Sequence, residues 1–401
     1  MNAQRIITAF AQPASVRLET LPPLALYVHV PWCVRKCPYC DFNSHALRDG
    51  ALDPALEAAY IAALRADLER ALPQVWGRPV HTVFIGGGTP SLLSAPGLDR
   101  LLCDIRALLP LDADAEITLE ANPGTAEAAK FAQFRLSGIN RLSVGVQSFN
   151  DAHLRALGRI HDAQEARAAI DLAMRTFDNV NLDLMFALPQ QTLAQCQADI
   201  ETALGFAPQH LSLYQLTLEP HTPFAKRPPA LPDDDTAADM QDWIHTRAAA
   251  AGYGHYEVSA WAKPRQQCRH NLNYWHFGDY LGIGAGAHAK LSFPDRIVRQ
   301  VRYSSPLAFI EHARAGNAAS EEHSVRMEDL PFEFMLNALR LVNGFAHHEF
   351  SERTGLPVAS IDAALSGAER RGLIARDPLK IVPTAQGQRF LNDLQMLFLA
   401  A

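Results

Sequence analysis

The chain has 401 residues, of which 48% are hydrophobic and 20% charged, and its formal net charge is −7 at pH 7. This composition is that of a globular protein with one large domain or two, and the negative charge argues against nucleic acid as a general partner. No apolar run is long enough to span a membrane and no secretory signal is recognisable, so we predict a cytoplasmic protein without a membrane span.

The chain is expected to begin with a flexible lead-in, residues 1–23. Arg5, Arg17 and Glu19 interrupt this segment, and it has no continuous apolar core. The apolar run 24–30 that follows is typical of a buried strand. We therefore predict that the folded protein starts at residue 24.

A loop with three cysteines comes directly after this strand. Cys33, Cys37 and Cys40 lie within eight residues, and Pro31 and Pro38 prevent a regular helix. Such a loop can wrap its thiolates around one metal centre, and thiolates select zinc or iron–sulfur clusters over hard cations. Three thiolates on a four-iron cubane leave one iron free for an exchangeable ligand.

A zinc site remains open as an alternative at this stage, with His29 or His45 as the fourth ligand. A disulfide is disfavoured because cytosolic thiols stay reduced. The pattern Cys-x3-Cys-x2-Cys resembles the radical S-adenosylmethionine (SAM) superfamily. In that superfamily the amino and carboxylate groups of SAM occupy the free iron.

Strand and helix periods then alternate along the chain. The predicted strands are 24–30, 81–85, 116–119, 141–146, 180–186 and 210–218. The helices predicted between them are 53–72, 96–109, 125–137, 163–177 and 192–205. Strands separated by helices call for a parallel sheet with right-handed crossovers. We predict an α/β protein with a partial (β/α)6 TIM-like barrel.

Polar or glycine-rich residues stand at the C-terminal ends of these strands. In a β/α barrel these strand ends converge on one mouth. They include the triple glycine at 86–88, Glu120, Gln147 and Asp183. Glycines let a ligand approach the backbone, and the two carboxylates can accept hydrogen bonds from an amine or from ribose hydroxyls. Arg159 can pair with a carboxylate. Together these groups suit an amino-acid nucleoside.

Four segments resemble the oxygen-independent coproporphyrinogen III oxidase family of the radical SAM superfamily. They are Tyr27-x-His29-x-Pro-Trp-Cys33-x3-Cys37-x-Tyr39-Cys40, Gly86-Gly87-Gly88-Thr89-Pro90, Gly145-Val-Gln147-Ser-Phe149 and Asp183-Leu-Met-Phe-Ala-Leu-Pro189. By this resemblance Cys33, Cys37 and Cys40 bind a [4Fe–4S] cluster, and the reduced cluster converts SAM to methionine and a 5′-deoxyadenosyl radical. The SAM-contacting positions implied are Tyr27, Tyr39, Gly87, Gly88, Thr89, Glu120, Gln147, Arg159 and Asp183.

Two departures from the oxidase pattern change the expected function. Asp41 and Phe42 follow Cys40, where the oxidase has a further cysteine, and only 26 residues precede Tyr27, where the oxidase has a longer extension. Both departures match a sister group of haem chaperones. The leading expectation is therefore a protein that binds haem and delivers it to acceptor haemoproteins, some of them membrane-associated. The alternatives are the oxidase activity itself and a radical SAM scaffold with an unrelated substrate.

Residues 255–290 form a haem-associated extension of the predicted domain 24–303. The segment is rich in histidine and aromatic residues, and haem needs an axial ligand and flat apolar walls. His270 opens the string His270-Asn-Leu-Asn-Tyr-Trp275, which resembles a chaperone-group motif implicated in haem ligation. His270 is thus a candidate haem ligand, with Cys268 as the weaker one. The alternative is that His270 is a hydrogen-bonded structural residue.

A different pattern begins after a predicted linker, residues 304–330. Helices are expected at 332–341, 347–354 and 358–371, followed by a strand pair at 374–382 and a helix at 384–398. This order resembles a winged helix and predicts a second domain, 331–401. Because the protein is acidic and the third helix has no dense basic row, we expect a packing or partner-docking role for this domain and not nucleic-acid binding.

Overall fold

The computed structural model describes residues 16–48 and 50–399. In the first half of the chain, parallel strands alternate with helices as predicted. The elements are β1 (Leu24–Val30), β2 (Trp32–Cys33), β3 (His45–Ala46), α1 (Pro54–Val75), β4 (Val80–Gly87), α2 (Ala95–Leu108), β5 (Leu111–Ala121), α3 (Thr125–Ala128), α4 (Phe131–Ser137), β6 (Arg141–Gln147), α5 (Asp151–Ala156), α6 (Ala163–Thr176), β7 (Val180–Phe186), α7 (Leu193–Gly205) and β8 (His210–Gln215).

The helix starts follow from local capping. The side chain of Asp53 accepts a hydrogen bond from the backbone N–H of Leu56 and Pro54 stands at the first helical position, so α1 begins there. Asp162 and Glu165 form a reciprocal capping box at the start of α6. The predicted helix 125–137 is in fact two helices: α3 ends at Ala128, and α4 begins at Phe131 after a turn.

The second part of the chain adds strands to both edges of the parallel sheet. Its elements are α8 (Pro223–Lys226), α9 (Asp234–Ala250), β9 (Gly254–Glu257), β10 (Ala260–Ala262), α10 (Arg269–Trp275), β11 (Asp279–Ile283), β12 (His288–Phe293), β13 (Arg296–Arg302), α11 (Pro306–Arg314) and β14 (Ala319–Ser324). The strand order is β14-β13-β12-β11-β1-β4-β5-β6-β7-β8-β10-β9, with β11 parallel to β1 and antiparallel strands beyond it. The six-strand parallel core is confirmed, and the sheet extends past it on both sides.

Two expected boundaries differ from the structure. Residues 304–330 are not a linker: they contain α11, whose Phe309 is buried in the main core, and the edge strand β14, which pairs with β13. Most of the expected lead-in lies outside the described residues. Its last part is packed, since Val16 and Leu18 are buried in the C-terminal hydrophobic cluster.

The C-terminal part has the predicted order of helices and strands, except that the predicted helix 384–398 is divided into two. Its elements are α12 (Leu330–Ala338), β15 (Phe345–Ala346), α13 (His347–Thr354), α14 (Asp362–Arg370), β16 (Ile374–Arg376), β17 (Lys380–Pro383), α15 (Ala385–Arg389) and α16 (Leu391–Met396). Its core includes Phe334, Phe345 and Phe350, and it reaches Phe277 and Ile297 of the sheet domain. These shared apolar contacts dock it on the barrel. Within the described ranges, every helix is too short or too polar to cross a bilayer.

Candidate functional site

A cavity of about 670 Å³ lies at the carboxyl ends of the parallel strands; we call it the cofactor cavity. It collects residues that are far apart in the sequence. The predicted cluster and SAM residues on its wall are Cys33, Cys37, Tyr39, Cys40, Gly87, Gly88, Thr89, Glu120, Gln147, Arg159 and Asp183. Tyr27 lines an adjoining cavity of about 470 Å³, which shares Gly87 and Glu120 with the first.

The cysteine loop is held in place by short backbone pairings. After β1, the two-residue strand β2 pairs with β3, so that Cys33 stands opposite Ala46 and the loop between them is closed. The N–H of Thr89 donates to the carbonyl of Trp32 at 2.7 Å. This bond fixes the cysteine loop against the glycine loop that follows β4.

The three thiols face the cofactor cavity and are free. Burial raises the pKa of Cys33 and of Cys40, so their thiolates need a positive partner. The Nη1 atom of Arg159 lies 3.8 Å from the Sγ of Cys37. A cationic metal centre would supply the further charge that these thiolates require, so the residues present fit an iron–sulfur cluster.

A single zinc ion fits the site less well. In the described part of the chain, no three His, Cys, Asp or Glu side chains are gathered closely enough to hold one metal ion. The expected fourth ligands are also engaged. The Nε2–H of His29 donates to the carbonyl of Asn43 at 2.8 Å, its Nδ1 accepts from Tyr27, and Nε2 of His45 lies 3.3 Å from the carbonyl of Ser304. Thiolates of a cubane bind three different irons and so stand farther apart.

The glycine loop after β4 lies too close to other chain segments to allow side chains. Gly87 has a φ of +114°, and a Cβ atom there would meet the ring of His29 at 2.5 Å. A Cβ atom on Gly88 would meet the carbonyl oxygen of Trp32 at 2.5 Å. Only glycine can bring the backbone of this loop beside the cysteine loop.

A hydrogen-bonded chain runs across the cavity from Arg159. Its Nη2 atom donates to the side-chain oxygen of Asn122 at 2.6 Å and to the carbonyl of Gly145 at 2.8 Å. The side-chain amide of Asn122 donates in turn to the hydroxyl of Thr89 at 2.9 Å. The guanidinium is therefore held in one orientation, with its charge beside the thiols.

Two half-buried carboxyl groups line the same cavity. The Oε2 atom of Glu120 accepts from the N–H of Gly87 at 3.0 Å, and Asp183 accepts from Ser143 and Asn181, both at 2.8 Å. Burial and the neighbouring Asp183 raise the pKa of Glu120 to about 8. Burial also raises the pKa of Asp183. A cationic ligand such as a sulfonium or an ammonium group would relieve this cost.

Several residues on the wall of the cofactor cavity were not predicted as ligand contacts, among them Asn122, Tyr214 and Arg340. Asn122 follows Glu120 by two positions and could have been selected by the strand-end rule that found Glu120. Tyr214, near the end of β8, could have been found in the same way. Arg340 comes from the C-terminal part, and no local sequence signal points to it.

His270 lies away from these cavities. Its ring is buried, its Nδ1 atom lies 2.8 Å from the hydroxyl of Thr82 near the start of β4, and it stacks on Phe84 at 5.0 Å. Burial, aided by Arg141, lowers its pKa to about 3. Nε2 has no partner within the described residues, but it is enclosed. Cys268 is buried beside Glu116.

Haem ligation by His270 stays a prediction, because a flat ligand could reach this ring only if α10 moved. The same holds for Cys268, whose thiol contacts the carboxyl group of Glu116 at 3.6 Å and is not exposed to a cavity wall. The contacts around both side chains are those of buried, hydrogen-bonded residues.

Residues 27–203 match the model of the radical SAM superfamily, and residues 326–390 match that of the HemN C-terminal domain. The chain is 49% identical over 385 residues to the heme chaperone HemW of Escherichia coli (strain K12), covering 95% of this chain and 99% of that protein. It is 33% identical over 381 residues to the heme chaperone HemW of Bacillus subtilis (strain 168), covering 93% and 98%.

Among solved structures, the chain is similar to the coproporphyrinogen III oxidase HemN from Escherichia coli, a radical SAM enzyme. The TM-score is 0.79 at 24% sequence identity, and the match covers 94% of this chain and 90% of that one. At this identity the likeness establishes the fold: a radical SAM barrel with a helical C-terminal part.

Proposed function

Because this chain belongs to the heme chaperone HemW family of the radical SAM superfamily, we propose that it binds haem and delivers it to acceptor haemoproteins. The relatives that carry this name match nearly its whole length. The acceptors we propose include membrane-associated haemoproteins. We also propose that it acts in the cytoplasm, because its site needs reduced thiols.

The radical SAM family implies a [4Fe–4S] cluster and SAM, and we assign both to the cofactor cavity. The observation that carries this assignment is the convergence of three thiols and a set of polar groups suited to a nucleoside in one cavity. Cys33, Cys37 and Cys40 would hold the cluster. Such a cluster would supply one electron to reduce the sulfonium group of SAM.

The chain's own residues bind and orient the nucleoside. Glu120 and Asp183 accept hydrogen bonds from its hydroxyl or amine groups, and Arg159 contributes positive charge near its carboxylate. Gly87 and Gly88 let it lie against the backbone. Tyr27, Tyr39, Thr89 and Gln147 complete the proposed contacts.

Oxidative decarboxylation of coproporphyrinogen III is the second candidate, favoured by the intact cofactor cavity. Two features weigh against it. Phe42, which lines the mouth of the cavity and is 59% exposed, stands where the oxidase motif has an additional cysteine. The structural match to the oxidase is at only 24% identity, whereas the chaperone relative is at 49%.

Two assays on anaerobically reconstituted protein separate the candidates. In the first, haem is added and the Soret band is followed through gel filtration. In the second, coproporphyrinogen III, SAM and a reductant are added and protoporphyrinogen is measured. We expect retained haem and no decarboxylation. Stoichiometric decarboxylation without haem retention would favour the oxidase.

A further inference from the structure

The proposed function requires a haem site, and the inference that follows rests on that function. A cavity of about 690 Å³ lies between the barrel and the C-terminal helices; we call it the interdomain cleft. Its volume is within the range of roughly 300–1,000 Å³ that small-molecule sites have. Its walls come from α9, from β9 and the turn after it, and from α15 and α16 with the segment after α12.

Two imidazoles stand side by side on the wall of the interdomain cleft. His245 belongs to α9 and His255 to β9, and their ring centroids are 4.5 Å apart. Over residues 16–48 and 50–399, no hydrogen bond engages the ring of His245, while Nε2 of His255 lies 3.4 Å from the carbonyl of Val258. Burial lowers the pKa of both rings, that of His255 to about 4, so both are neutral at pH 7. A neutral imidazole is the form that binds a metal.

The same wall is partly apolar, and a buried indole supports one of its imidazoles. The indole of Trp261 stacks on His255 with a centroid distance of 4.6 Å and an interplanar angle of 21°. Val258 and Phe390 line the interdomain cleft and are 37% and 49% exposed. A flat macrocycle in the interdomain cleft would cover these apolar side chains.

Two arginines border the interdomain cleft where carboxylates of a ligand could reach them. Arg389 pairs with Asp242 at 3.0 Å, and both side chains are exposed, so a propionate could take the place of Asp242. The guanidinium carbon of Arg340 lies 4.3 Å from the centre of the Trp275 ring, and Nη2 lies 3.4 Å from Glu257. Arg340 also lines the cofactor cavity and thus separates the two spaces.

We propose that the interdomain cleft is the haem site and that His245 is the axial ligand. The two rings stand on one wall, so only one of them can bind the iron axially. Trp261 packs against both rings, 5.3 Å from that of His245 and 4.6 Å from that of His255. The difference is that Nε2 of His255 lies 3.4 Å from the carbonyl of Val258, whereas the ring of His245 has no hydrogen-bond partner among the described residues. His255 would then face the macrocycle, and the buried indole of Trp261 lies behind its ring. Haem would lie next to the cofactor cavity but outside it.

The test is a haemin titration of the reconstituted full-length protein, followed by the Soret band. We expect His245→Ala to weaken haem affinity more than about tenfold and His255→Ala to weaken it less. Iron content and SAM binding should be unchanged. In His245→Met the axial donor is exchanged, so the Soret and visible bands should shift, which a merely structural role would not cause. His323→Ala, on the exposed strand β14, is the matched control.

A second variant keeps the test decisive if loss of His245 disturbs folding. Val258→Trp leaves both imidazoles in place and fills the interdomain cleft, and it should weaken haem binding to a similar degree. Wild-type affinity in His245→Ala and in Val258→Trp would overturn the assignment while the chaperone function stands. If only His270→Ala or His288→Ala lost haem affinity, the assignment of His245 would also be overturned. The axial ligand would then be His270 or His288. A wild-type protein that binds no haem would overturn both the proposed site and the proposed chaperone function.

Discussion

The Nη1 atom of Arg159 lies 3.8 Å from the Sγ of Cys37, although 122 residues separate the two in the chain. This contact joins the segment after α5 to the cysteine loop. Because Nη2 of the same guanidinium is held by Asn122 and Gly145, the charge beside the thiol is fixed in position. Arg159 therefore connects the cluster-binding loop to the nucleoside-binding strand ends.

Replacing this guanidinium should weaken SAM binding. Arg159→Lys keeps the charge but cannot make the two bonds to Asn122 and Gly145 together, and charge-assisted hydrogen bonds contribute roughly 1.5–3 kcal/mol each. We expect SAM affinity, measured by equilibrium dialysis on the reconstituted protein, to fall by about tenfold or more. Arg155→Lys, an exposed position on α5, is the control and should bind SAM normally. If the two variants bound SAM with equal affinity, Arg159 would not be a SAM-binding residue.

The pH dependence of SAM binding should follow the ionisation of Glu120. Its pKa is raised to about 8 by burial and by Asp183, so the group is largely protonated at pH 7 in the empty cavity. If the carboxylate form binds the ligand, affinity rises as pH increases through this pKa, by about tenfold from pH 7 to pH 8.5. Glu120→Gln cannot ionise and should lose most of this rise. A Gln variant with the same slope as the wild type would contradict the assignment.

The buried charge cluster at the base of β11 should control stability. Asp279 accepts from Arg78 at 2.8 Å and from Lys290 at 3.0 Å, and both Asp279 and Lys290 are buried. Asp279→Ala leaves the buried ammonium group without its counter-charge, which typically costs about 3–5 kcal/mol.

Urea denaturation followed by circular dichroism should show a clearly lower midpoint for Asp279→Ala. Glu69→Ala is its matched control, because it removes the partner of Arg65 from an exposed pair worth roughly 1 kcal/mol or less. Similar midpoint shifts in the two variants would mean that burial of the cluster contributes little.

The parallel core was predictable because its strands are short apolar runs separated by helix caps, as at 180–186 and 192–205. The strand-end rule likewise predicted which side chains meet in the cofactor cavity. The edge strands β12 to β14 were not predicted, since their pairing depends on contacts with distant parts of the chain. Arg340 was not predicted for the same reason, since it reaches the cofactor cavity from the C-terminal part of the chain.

The histidines show more clearly what cannot be predicted from the sequence. A motif drew attention to His270, and sequence cannot tell that its ring is enclosed against Thr82 and Phe84. His245 has no motif, and it gains its candidate role only because α9 and β9 bring it beside His255 on a cavity wall. Burial and proximity, which decide between such residues, are properties of the folded chain.

The central claim is that Cys33, Cys37 and Cys40 hold a four-iron cluster whose remaining iron is open to SAM. It is tested most directly by the electron paramagnetic resonance spectrum of the dithionite-reduced, anaerobically reconstituted protein, recorded with and without SAM. We predict a [4Fe–4S]⁺ signal whose shape changes when SAM is added. A cluster signal that SAM leaves unaltered, or a protein that contains zinc and gives no such signal, would contradict the claim.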